Sequence, residues 1–186
     1  LIQGRGRAYG LETSISKLTG LITGSINYTY SRSLRQISGP TQRESVNGGK
    51  EYASNFDQPH IFNFTWKCSL TRRNFFTGIF TYHTGRPVTL PLSGFLVDAI
   101  PVSSFSARND YRIPNYHRLD LAFVAEGNHK RKKILDGTWT VSAYNVYARK
   151  NAYSVFFKED ANGVLRPYQL SIIGTMLPSI SYSFKI

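Results

Sequence analysis

Long apolar runs are missing from this sequence, and so are paired cysteines, helical periodicity and a recognisable leader. No stretch approaches the roughly 18 uninterrupted apolar residues of a membrane helix, so the chain cannot cross a bilayer as helices; strands remain possible. A lone Cys68 excludes an internal disulfide framework and a Cys-based zinc site. The four histidines, His60, His83, His117 and His129, show no His-x-x-x-His spacing, and no metal or cofactor is expected. No Gly-x-Ser-x-Gly elbow supports a serine hydrolase, and the chain is not read as an enzyme. It opens Leu1-Ile2-Gln3-Gly4 with no Met, no basic n-region and no apolar h-region. The expectation is that a leader has been removed, or that this is an internal piece of something longer. Charged residues are also scarce, at 18%, while aromatics reach 14%. A disordered polyelectrolyte would show the opposite balance. At 186 residues the size prior is one domain, spanning 1–186.

What charge there is has one sign. Lys and Arg number 23 against 11 Asp and Glu, a net +12. Such a balance first suggests a polyanionic partner. The basic residues are scattered, however, apart from Lys130, Arg131, Lys132 and Lys133. The aromatics alternate with Ser, Thr and Asn and not with Lys or Arg, as a base-stacking platform would need. Nucleic acid is therefore not the expected partner, and the basic connector reads as a solvated turn.

Period-two alternation runs through the chain, the mark of strands with two unlike faces. Tyr9, Leu11, Thr13 and Ile15 share a face opposite Gly10, Glu12 and Ser14. Ile22, Gly24, Ile26, Tyr28 and Tyr30 oppose Thr23, Ser25, Asn27 and Thr29. The pattern is clearest in Phe62, Phe64, Trp66, Cys68 and Leu70 against Asn63, Thr65, Lys67 and Ser69. Phe76, Gly78, Phe80 and Tyr82 follow, then Leu119, Leu121 and Phe123 opposite Arg118, Asp120 and Ala122. A strand starts near Trp139, with mixed faces and no readable phase. Ile180, Tyr182, Phe184 and Ile186 alternate with Ser179, Ser181, Ser183 and Lys185. Gly4-Arg5-Gly6-Arg7-Ala8-Tyr9-Gly10 misses the dinucleotide fingerprint and opens a strand, so its glycines read as bends in a curved sheet.

The expectation is an all-β chain: an antiparallel up-and-down meander of about seven strands. Polar, glycine- and proline-rich stretches at 31–57 and 85–115 read as long loops. Thr71-Arg72-Arg73-Asn74 reads as a tight turn, and Ala161-Asn162-Gly163 as a hairpin tip. One end of the sheet then carries short turns and the other long loops.

A soluble sheet with one buried face explains simple alternation. Here the apolar positions carry no charge at all, and the strand charges Glu12, Lys67, Arg118, Asp120 and Lys185 sit on the polar side. The strands are about ten residues long. A lipid-facing Arg or Lys at midplane costs about 2–4 kcal/mol, and that penalty produces this segregation. Tyr28, Tyr30 and Tyr82 fall at the long-loop ends, where an interfacial aromatic girdle belongs. Backbone groups in lipid must be paired, so seven strands require further strands to close a barrel.

Several motifs carry a family resemblance. Asp57-Gln58-Pro59-His60 leads into an aromatic strand, followed by Thr84-Gly85-Arg86-Pro87-Val88-Thr89. Arg112-Ile113-Pro114-Asn115-Tyr116-His117-Arg118-Leu119-Asp120 comes next, then Tyr144-Asn145-Val146-Tyr147-Ala148-Arg149-Lys150-Asn151. With the closing Pro178 to Ile186, they resemble the late barrel strands of TonB-dependent outer-membrane receptors. The resemblance implies a large transmembrane β-barrel with a plug, importing a scarce ligand across the outer membrane of a Gram-negative bacterium. This chain would be its C-terminal portion, without plug or earlier strands. The implied partners are the remaining strands and plug, the TonB system through that plug, outer-membrane lipid and lipopolysaccharide, and a surface lipoprotein lid. Tyr182, Phe184 and Ile186 would form the barrel-assembly signal, although that family's last residue is usually aromatic. Long loops at the outer end carry function in such scaffolds. Arg108, Asp110, Tyr111 and Arg112, which with Asn109 form the densest polar-aromatic cluster in a long loop, are therefore the candidate substrate-binding residues, together with Arg86. Arg118 and Asp120 are a candidate lumen ion pair. The rival readings are a soluble basic all-β module binding nucleic acid and a small outer-membrane barrel enzyme.

Overall fold

A computed structural model describes residues 3–97, 100–127, 136–159 and 165–185. Among them there is no α-helix, only two single 3-10 turns at Gln42–Glu44 and Asn47–Gly49. The strands in chain order are β1 (Gly4–Lys17), β2 (Ile22–Ile37), β3 (Tyr52–Ala53), β4 (His60–Ser69), β5 (Asn74–His83), β6 (Pro87–Val88) and β7 (Pro91–Val97). They continue as β8 (Ile100–Phe105), β9 (Tyr111–Arg112), β10 (Tyr116–Glu126), β11 (Asp136–Tyr144), β12 (Ser154–Glu159), β13 (Leu165–Leu170) and β14 (Leu177–Lys185).

Seven of these form one antiparallel sheet in the order β1-β2-β4-β5-β10-β11-β14, with β3 added beside β2. Each principal strand pairs with the next principal strand in the chain, so the sheet is the expected meander. It does not close: β1 and β14 each keep one unpaired edge. The short connections, 18–21 and 70–73, lie at one end, where β10 also ends at Glu126 and β11 begins at Asp136. The long ones, 38–59, 84–115 and 145–176, lie at the other. The two-stranded ladders β6-β9, β7-β8 and β12-β13 all belong to the long loops.

Register carries the alternation across the whole sheet. Ile26 pairs with Ile15 on one side and Phe64 on the other, Phe64 with Phe80, and Phe80 with Leu119. Phe123 pairs with Val141, and Val141 with Ile180. One apolar face thus runs unbroken from β1 to β14. The phase of β11, unreadable in sequence, is set by its neighbours: Trp139, Val141 and Ala143 join the apolar face. On the other face Ser14 donates to Asn27 at 2.7 Å, and Ser25 and Thr65 hydroxyls meet at 2.9 Å. Gly78 is required where it stands, because a β-carbon there would lie 2.3 Å from the Trp66 indole nitrogen that folds across from β4.

Among the described residues neither face is packed against another layer. The extensive contacts between elements are all between hydrogen-bonded strand neighbours. Phe62, Phe64, Trp66 and Phe80 stay half-exposed, and Leu11, Ile15, Trp139, Val141 and Ile180 are exposed. The buried residues lie elsewhere, among them Tyr52, Ser54, Asp57, Ile113, Asn145 and Ala152, all in or beside the long loops.

Two expectations are corrected. The first long loop begins at 38 and not 31, because Ser31–Ile37 continue β2 against Gly4–Gly10. In this extension the alternation fades while the backbone pairing persists. The glycines of 4–10 sit in the same ladder, whose pairing runs without a bulge. Finally, charges do occur on the apolar side, at Lys17 beside the short-turn end and at Arg5, Arg7 and Arg32 beside the loop end, but only at its margins. The basic connector and the Ala161-Asn162-Gly163 tip lie outside the described residues, although the flanking β12 and β13 pair as a hairpin.

Candidate functional site

The loop end of the sheet is where side chains from distant segments converge. At its base lies Asp57, whose side chain is fully buried. Its carboxylate accepts from the Ser33 backbone N–H at 2.7 Å, from Arg32 Nε at 3.2 Å, and from Arg112. Arg112 also donates to the carbonyls of Asp57 at 2.6 Å and Gly85 at 3.0 Å. Burial pushes the Asp57 carboxyl up, but the Ser33 N–H and the Arg112 and Arg32 guanidiniums outweigh it and hold it below the ordinary carboxylate range. This cluster ties β2, loop 38–59 and loop 84–115 together. A second tie is Asn109, held at φ +56°, a left-handed conformation that Asn tolerates. Its amide donates to the Ala53 carbonyl and to Asn55 Oδ1, both at 2.7 Å. Asn47 and Arg108 also bond reciprocally, at 2.7 and 3.0 Å.

Between these two loops opens a cleft of about 520 Å³, walled by Asn55, Phe56, Gln58, Arg86, Pro87, Val88, Thr89, Arg108 and Asn109. Phe56 is 81% exposed there. Phe56 also lines a neighbouring groove with Gly10, Glu12, Thr29 and Ser31, which places it on the polar side of the sheet. Of the sequence candidates, Arg86 and Arg108 come together in the cleft. Asp110 and Tyr111 do not line it; Tyr111 is paired with Val88 in the β6-β9 ladder. Arg112 is occupied by Asp57. The cleft partners Asn55 and Phe56 carry no sequence signal beyond their place just before Asp57-Gln58-Pro59-His60, and Gln58 is marked only as part of that motif.

Beside the cleft, Tyr116 stacks on His83 with ring centroids 4.6 Å apart. Arg118 and Asp120 form the ion pair that their spacing allowed, at 2.8 Å. Arg118 also donates to the hydroxyls of Tyr116 at 2.9 Å and Tyr144 at 2.6 Å and lies over the Tyr144 ring. Asp120 accepts the Asn145 backbone N–H, and the buried Asn145 amide donates to the carbonyls of Arg149 and Thr175. Loop 145–176 is thereby anchored to β10. Among the described residues no group of three or more His, Cys, Asp or Glu side chains is arranged to hold a metal ion.

The apolar face has its own end structure. Near the loops, Tyr28 and His60 share a hydrogen bond of 2.8 Å, and so do His117 and Tyr147. Asn115 donates to the Tyr82 hydroxyl. Near the turns, Trp139 packs on Tyr182, and Tyr182 on Phe184, at 4.6 and 5.9 Å. Ile186 lies outside the described residues.

No protein-family model, curated protein or solved structure matches this chain.

Proposed function

We propose that this chain is the C-terminal barrel segment of a TonB-dependent outer-membrane receptor, a transporter of a scarce ligand and not an enzyme. The observation that carries the reading is the unbroken apolar face, uncovered by any packed layer and free of charge except at its two margins. Water is a poor neighbour for so large an apolar surface. Lipid is a suitable one, with the polar face turned to an aqueous lumen. From His60 to Cys68 the strand rises about 26 Å at about 3.3 Å per residue. Tilted by about 40°, that covers roughly 20 Å of thickness, close to the roughly 25 Å apolar band of outer-membrane barrels. Aromatic and histidine side chains bracket the band at both ends, as interfacial girdles do.

The open edges of β1 and β14 support the segment reading, since unpaired backbone groups in lipid cost several kcal/mol each. The remaining strands of the same receptor are the partners these edges need, and the plug, the TonB system and a surface lipoprotein lid follow from that family. The margin arginine Arg5, unlike Arg7 and Arg32, pairs with no carboxylate among the described residues and suits lipopolysaccharide phosphates. The test is the location and migration of the full-length protein. It is expected in the outer-membrane fraction, extracted by detergent and not by salt, with heat-modifiable migration. Extraction by buffer with salt-dependent nucleic-acid binding would support the soluble alternative instead.

A further inference from the structure

We infer that the cleft between loops 38–59 and 84–115 takes a ligand carrying an oxyanion next to a planar apolar group. The inference rests on the receptor reading above and names the class of ligand that its outer site would take. Four arginines at this end of the sheet are matched to carboxylates, Arg7 to Glu51, Arg32 and Arg112 to Asp57, and Arg118 to Asp120; the two that line the cleft, Arg86 and Arg108, are among those with no such partner. Arg86 donates to one neutral group, the Tyr153 carbonyl, at 3.3 Å. Arg108 is held through its backbone by Asn47, and its guanidinium has no partner among the described residues. Asp110 is only two positions away, yet it stays out of the cleft, whose wall contains no carboxylate. Two arginines without a carboxylate partner therefore line one space, with the side-chain amide of Asn55 beside them. Guanidinium is the side chain best suited to grip a phosphate or carboxylate with paired hydrogen bonds. The exposed Phe56 ring at the same wall provides a stacking surface. At about 520 Å³ the space fits a small molecule.

The experiment uses the full-length receptor in phosphatidylcholine vesicles free of lipopolysaccharide. Phenyl phosphate, benzoate, benzyl alcohol and inorganic phosphate serve as probes, followed by saturation-transfer NMR. Phenyl phosphate and benzoate are expected to bind at least tenfold more tightly than benzyl alcohol. Arg86→Gln with Arg108→Gln should abolish that preference. Arg72→Gln with Arg73→Gln, at the opposite end of the sheet, should leave it intact. Phe56→Ala should weaken phenyl phosphate several-fold and leave inorganic phosphate unchanged. Benzyl alcohol binding as tightly as the anions, or full binding by the Arg86/Arg108 double variant, would overturn the inference. If the protein still fractionates with the outer membrane, that failure touches the ligand class alone; a protein found outside the membrane would defeat the receptor reading itself.

Discussion

Arginine placed at Phe64 and at Thr65 separates the two faces of the sheet by a single residue. Phe64 sits mid-way along β4, flanked on the apolar face by Ile26 and Phe80. Thr65 points to the other face, where its hydroxyl meets Ser25. If the apolar face touches hydrocarbon, Phe64→Arg costs about 2–4 kcal/mol, the penalty for a cation at bilayer midplane. With about 1.4 kcal/mol per factor of ten, the folded-to-unfolded ratio falls roughly 30- to 700-fold. Thr65→Arg loses one half-buried hydroxyl contact and puts its charge in water, so about 1 kcal/mol is the expected cost. Depth supplies a second axis. His60→Arg and Cys68→Arg, near the two margins, should cost only about 0–1 kcal/mol. The assay is guanidinium unfolding of the full-length protein from phospholipid vesicles, comparing midpoints at unchanged slope. A profile along 60, 62, 64, 66 and 68 that peaks at Phe64 is expected. Equal costs at Phe64 and Thr65, or a flat profile along the strand, would refute the lipid contact, because a water-exposed sheet tolerates arginine about equally on either side.

Spin labels placed singly along β4 should show oxygen accessibility peaking at 62, 64 and 66 and water-soluble nickel chelate accessibility peaking at 63 and 65, measured by paramagnetic relaxation in membranes. Asp57→Ala should loosen both loops at once, by about 3 kcal/mol, the low end for a broken buried ion pair because Arg32 and Arg112 remain 30% exposed and regain water; protease cutting should accelerate in 38–59 and 84–115 while the strands stay protected. The Asp57 carboxyl is depressed in the folded state, so its contribution is complete above the ordinary carboxylate value of about 3.9 and fades as pH falls further, through the folded value; the loops should stay protected at pH 5 and open only in stronger acid. Gly78→Val should displace the Trp66 ring and shift its fluorescence without unpairing β4 from β5, which far-ultraviolet circular dichroism would verify.

The sheet was legible because its information is local. Period two is written into each strand, and the short turns at 70–73 and 18–21 force neighbours to pair in chain order. The same local rule explains where reading failed. Ser31–Ile37 has no alternation, so the pattern predicts a loop, yet its backbone groups pair with Gly4–Gly10. Polarity alternates only where the two sides of a strand meet different solvents, and at the loop end both sides are polar. β11 failed for a related reason. Its side chains are of mixed character, and its phase is fixed by Phe123 on one flank and Ile180 on the other, neither of which the segment itself contains.

The cleft was legible only in part, because its geometry depends on pairs far apart in the chain. Arg108 and Arg112 look equivalent in sequence, two arginines in one polar-aromatic run. Their fates differ because Asp57, contributed by another loop, reaches Arg112 and leaves Arg108 alone. Nothing near residue 110 encodes that choice; it follows from β9 pairing with β6, which sets Arg112 opposite Pro87 and beside the buried carboxylate. Asn109 repeats the lesson, since its amide is spent on Ala53 and Asn55 and so fixes the wall instead of meeting ligand. Composition can therefore nominate a loop for recognition, but which of its cations stays uncommitted is decided by the carboxylates that other loops bring.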